Sequence, residues 1–89
     1  MAIPPTGLLA IPMGTTQKRL LRLLVKHHPL GIDRPDIIQM TGMTPNHVSV
    51  TMWEIRKTLR PFGWTVSGRP GRTHVPYTLE ALPHDQAQA

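Results

Sequence analysis

Asp33-Arg34-Pro35-Asp36-Ile37-Ile38-Gln39-Met40-Thr41-Gly42-Met43-Thr44-Pro45 holds two helix starts and one helix stop. Asp33 and Thr44 each carry a side-chain oxygen that can accept from an orphan N–H at a helix N-terminus. Pro35 and Pro45 then fall in first turns, where a missing N–H costs nothing. Asp36 adds a negative charge near the positive end of the first of these helices. Gly42 reaches the left-handed conformation that a sharp helix exit needs. The stretch therefore predicts a short helix, a tight turn and a second helix. Ile37, Ile38 and Met40 are the expected buried side of the short one.

The helix opened by Pro45 runs to Arg60, where Pro61 stops it. Val48, Met52, Ile55 and Leu59 recur at a spacing that winds them into one narrow apolar stripe. The reverse side shows Asn46, Val50, Trp53, Glu54 and Lys57, with His47, Ser49 and Arg60 at its flanks. An ordinary solvent face rarely holds both a Val and a Trp. Trp53 has two readings: packing over the following hairpin against Trp64 or Tyr77, or contact with a partner, where Trp is enriched.

Beyond Phe62-Gly63 the period shifts to two. Trp64-Thr65-Val66-Ser67 reads as a strand and Gly68-Arg69-Pro70-Gly71-Arg72 as a loop. Thr73 to Leu79 reads as the return strand, with Val75, Tyr77 and Leu79 on one face. Pro76 within it predicts an edge strand.

Upstream, a helix is expected from about Gln17 to His27, capped by Thr15 or Thr16. Leu20, Leu23, Leu24 and His27 share one side, with Leu21 beside them. Lys18, Arg22 and Lys26 form a stripe on another side, either a solvated face or a phosphate-contacting one. Leu30-Gly31-Ile32 is a short apolar link. The division that results is an apolar, Pro/Gly-rich arm over residues 1–14, one domain over 15–82, and a polar tail over 83–89. The arm can pack on its own domain, cross to a second subunit or stay disordered.

The 89 residues suffice for one small domain with a modest core. Aromatics are 4% of the chain, so the core must come from Leu, Ile, Val and Met. With no cysteine, disulfides and thiolate metal sites are excluded, which fits a reducing cytoplasm. Ten Lys and Arg against five acids give a net charge of +5 and favour an acidic partner such as nucleic acid. No apolar run is long enough to span a bilayer. The N-terminus lacks the basic region of a secretory signal.

Three helices followed by a hairpin make an α+β domain. In that order, residues 36–45, Val48, Met52, Ile55 and Gly63-Trp64 resemble the winged-helix (winged helix-turn-helix) family of bacterial and phage DNA-binding domains. The resemblance covers roughly residues 16–82, and it implies that Leu30-Gly31-Ile32 forms a minimal first strand. A narrower likeness links Ile55-Arg56-Lys57-Thr58-Leu59 and Tyr77-Thr78-Leu79-Glu80-Ala81 to response-regulator effector domains. That subfamily carries a small sheet before its first helix and follows a receiver domain, so the broader family is the one retained.

The resemblance implies that the third helix lies in the major groove of double-stranded DNA. Asn46, His47, Ser49, Val50, Trp53, Glu54 and Lys57 would face the bases. Asn pairs with adenine, Glu accepts from the cytosine amine and Val meets the thymine methyl. Arg56, Lys57 and Arg60 would take phosphates, which set register and supply salt-dependent affinity. Arg69 and Arg72 at the loop tip, with His74, would reach the backbone or minor groove. The competing reading of that loop is a solvated hairpin.

The function expected is that of a small transcriptional regulator or a phage or plasmid recombination accessory factor. A homodimer through the arm would read two half-sites. The alternative is a protein-interaction module on the same fold. Neither a catalytic constellation nor a cofactor is expected. His27-His28 are adjacent on a helix, so they point about 100° apart and make a poor metal pair.

Overall fold

The computed structural model describes residues 4–68 and 76–82. Three helices precede an antiparallel two-stranded hairpin: α1 (Thr15–His27), α2 (Arg34–Thr41), α3 (Pro45–Leu59), β1 (Trp64–Ser67) and β2 (Thr78–Ala81). A 3-10 turn at Pro5–Ala10 precedes α1, and another at Arg60–Phe62 joins α3 to β1. The chain is thus mixed α+β.

The α1 helix begins two residues earlier than the sequence predicts. Gly14 is its N-cap, and neither Thr15 nor Thr16 caps it through a side chain. A glycine in extended backbone serves here because its carbonyl accepts the first intrahelical bond, from Lys18 N–H at 2.9 Å. Leu20, Leu21 and Leu24 are buried, while Arg22 and Lys26 are exposed.

Lys18 departs from that exposed stripe. Its ammonium donates to the Leu9 and Ile11 carbonyls, at 2.5 and 2.6 Å. Carbonyls at the end of a 3-10 turn lack intrahelical partners, and a cation satisfies them strongly. Leu8 and Ile11 of that segment enter the core. Of the three fates open to the arm, residues 4–13 take the first: they pack on their own domain.

The α2 exit is as expected. Gly42 has φ +73°, and its N–H bonds to the Ile38 carbonyl at 2.8 Å. Thr41 Oγ1 donates to the Ile37 carbonyl at 2.7 Å and accepts from Met43 N–H at 3.2 Å, which braces the turn. Asp33 occupies the N-cap position but makes no side-chain cap bond. Met40 corrects the expected buried side, being exposed. A helix of little more than two turns meets the core along one edge, and Ile37 takes that edge. Met43, just past the turn, is the buried methionine of this region.

In α3, Val48, Met52, Ile55 and Leu59 have no exposed surface. Burying each such side chain contributes about 1.5–3 kcal/mol, so this stripe is a large share of a small core. Thr51 lies beside it, also buried. Thr44 caps the helix, its hydroxyl accepting from His47 N–H at 3.1 Å.

Gly63, at φ +83°, turns the chain from α3 into β1. The hairpin pairs Trp64 with Ala81, Thr65 with Glu80, Val66 with Leu79 and Ser67 with Thr78. Trp64, Val66, Tyr77 and Leu79 face the helices. The Ser67 and Thr78 hydroxyls hydrogen-bond across the outer face. Ile32 forms a bridge to Tyr77 with two bonds of 3.0 Å, as expected of a minimal strand.

The Ile32 bridge meets Tyr77, just before β2, while Thr78 to Ala81 pair with β1 alone. In this two-stranded sheet β2 is an edge strand, as Pro76 predicts. Pro76 stands just before the paired residues, where its missing N–H removes no ladder bond. The expected span shifts toward the C-terminus, and Thr73 to Val75 lie outside the described residues. Among the described residues no helix is long and apolar enough to cross a membrane.

Candidate nucleic-acid interface

The outer side of α3 is fixed by its inner side. Winding at about 100° per residue puts Val48, Met52, Ile55 and Leu59 within an arc of about 60°. Asn46, Val50, Trp53, Lys57 and Arg60 then fall within about 80° on the reverse. All five are exposed, and so is His47 beside them. Ser49 and Glu54 are half-buried at the margins.

Trp53 is 59% exposed and is no core residue. Lys57, one turn on, holds its ammonium 5.3 Å from the centre of the indole. A cation over the negative face of an indole is attracted by the ring quadrupole, by about 0.5–1 kcal/mol at an exposed site. Trp64 and Tyr77 are buried instead, and His28 meets Trp64 edge-on at 5.7 Å.

Two candidates are held by partners that sequence reasoning missed. Glu54 Oε2 accepts from Gln17 Nε2 at 3.2 Å, which orients the carboxylate from α1. Arg56 turns toward the hairpin. Its Nε donates to the Val66 carbonyl and its Nη2 to the Gly68 carbonyl, both at 2.7 Å. Expected as a phosphate contact, Arg56 thus commits two of its donors to fixing the far end of β1 against α3. Neither contact leaves a signal in sequence, because 37 and 10–12 residues separate the partners.

Between the second half of α3 and the hairpin lies an open groove of about 470 Å³. Trp53, Arg56, Lys57, Arg60, Thr65 and Leu82 line it. Sequence reading singled out its α3 residues but not Thr65 or Leu82. Arg69, Arg72 and His74, the expected loop-tip contacts, lie outside the described residues.

Among the described residues no group of three His, Asp or Glu is placed to hold a metal ion. His27 Nε2 and His28 Nδ1 are buried without hydrogen-bond partners. Comparison with known protein families, curated proteins and solved structures gives no match.

Proposed function

We propose that this chain is a sequence-selective binder of double-stranded DNA, built as a winged helix. In this reading α2, its turn and α3 are the helix-turn-helix, and the β1–β2 hairpin is the wing. The α3 helix enters the major groove, and the wing meets the backbone or minor groove. The role would be that of a small transcriptional regulator or a phage or plasmid recombination accessory factor.

One observation carries the reading. The α3 helix buries its aliphatic stripe completely while Asn46, His47, Val50, Trp53, Lys57 and Arg60 stand exposed on the reverse. That surface combines base-reading groups with cations, as groove recognition requires. The net charge of +5 adds a general attraction to a polyanion. Asn46 and Glu54 would select bases, and Lys57 and Arg60 would hold phosphates. Arg56 keeps the wing at a set angle to the helix. Arg69, Arg72 and His74 would act from the wing tip.

Selection from a pool of random duplexes at two salt concentrations tests this. A shared sequence that persists at the higher salt is the expected result. Equal recovery of every duplex removes the selectivity.

The exposure of Val50 (48%) and Trp53 favours a second reading, a module that docks a protein through the same face. Salt-insensitive capture of a protein partner, with no DNA retained, would decide for it.

A further inference from the structure

The groove beside Trp53 asks for more than a duplex backbone supplies. Three of its six lining residues are cations, and none of the described lining is acidic. Those cations call for an anion. Trp53 and Leu82, however, add apolar surface that a phosphate leaves unused. An apolar peptide would cover the indole and leave the charges unanswered. A nucleotide answers both, with a flat ring for the indole and a phosphate for Lys57 and Arg60.

We propose that this groove seats one unpaired nucleotide of a bound DNA, its base stacked on Trp53 and its phosphate held by Lys57 and Arg60. The inference rests on the DNA-binding reading and deepens it. Bases inside a duplex have both faces covered by their neighbours, so only an extrahelical or single-stranded base can reach the indole. The groove volume of about 470 Å³ falls within the range of about 300–1,000 Å³ usual for small-molecule pockets.

Lys57 is the moving part. Without ligand its ammonium covers the Trp53 ring. A phosphate between Lys57 and Arg60 forms stronger, charge-assisted bonds than the ring can. The ammonium leaves the indole for the phosphate, and the base takes the uncovered face. Arg56, bonded to the Val66 and Gly68 carbonyls, keeps the groove wall in place.

The test compares two labelled DNAs by fluorescence anisotropy at low salt: a perfect duplex, and the same duplex with one bulged thymidine. The wild-type protein should prefer the bulged DNA by about tenfold, the scale of one stacked base. In Trp53→Ala the ratio should fall to about one, and Trp53→Phe should keep most of it. Circular dichroism melts of both variants check that they fold. A wild-type ratio near one, with the perfect duplex still bound, overturns this inference and leaves the duplex reading standing. A ratio that survives in Trp53→Ala also overturns it. Failure to bind either DNA overturns both readings.

Discussion

Arg56 donates from Nη2 to the Gly68 carbonyl at 2.7 Å, tying the outer flank of α3 to the end of β1. With the parallel bond to Val66, one guanidinium sets how the hairpin stands against the helix. Because the groove beside Trp53 lies between these two elements, its shape depends on a residue that reads from sequence as a surface cation.

Arg56→Ala should lower stability by about 1–3 kcal/mol, the cost of leaving two carbonyls without their charged donor. Arg56→Lys should recover little of this, since an ammonium cannot reproduce the planar fork. Urea unfolding followed by circular dichroism measures both. An unchanged midpoint in Arg56→Ala would show that the strut is dispensable.

Two glycines with positive φ should respond differently to alanine. Gly42, at φ +73°, has no heavy atom within 4 Å of where a Cβ would stand, so Gly42→Ala should cost only the left-handed strain, about 1–2 kcal/mol. A Cβ on Gly31, at φ +88°, would stand 2.7 Å from the Tyr77 carbonyl oxygen and collide with the Thr78 methyl. That carbonyl accepts from Ile32 N–H, so the bridge would be forced apart. Gly31→Ala should lose clearly more stability than Gly42→Ala in the same thermal melt. Equal losses would contradict the close approach.

The arm offers a separate check. Leu8→Ala should cost about 2–5 kcal/mol, as for other fully buried leucines. Lys18→Met should free the Leu9 and Ile11 carbonyls and speed amide exchange across residues 7–13. Exchange as fast in the wild type would show that the arm is not held.

Thr44→Ala should remove the cap bond to His47 N–H and cost about 1 kcal/mol. Asp33→Ala should cost less, because Asp33 makes no such bond. The order of the two chemical-denaturation midpoints tests this.

These cases also mark what the sequence can and cannot reveal. The stripe of Val48, Met52, Ile55 and Leu59 was legible because a helical period repeats over three turns. Gly42 was legible because few residues other than glycine accept its backbone. Alternation placed β1, whereas pairing at Ile32 was expected only from the likeness to a winged fold. The inward turn of Arg56, the hold of Gln17 on Glu54 and the grip of Lys18 on the arm were not legible. Each joins elements whose relative placement no local pattern encodes. Met40 was misread because a two-turn helix has too few residues for a period to resolve its buried edge. The hairpin side of the groove, Thr65 and Leu82, emerges only once the hairpin is seated on α3.

Binding of a selected duplex across a series of salt concentrations tests most directly whether the outer face of α3 meets DNA. With about five phosphate contacts, the logarithm of the association constant should fall against the logarithm of salt with a slope of about −4 to −5. Lys57→Ala should make that slope shallower by about one unit. Undetectable binding at low salt, or a slope near zero that Lys57→Ala leaves unchanged, would contradict it.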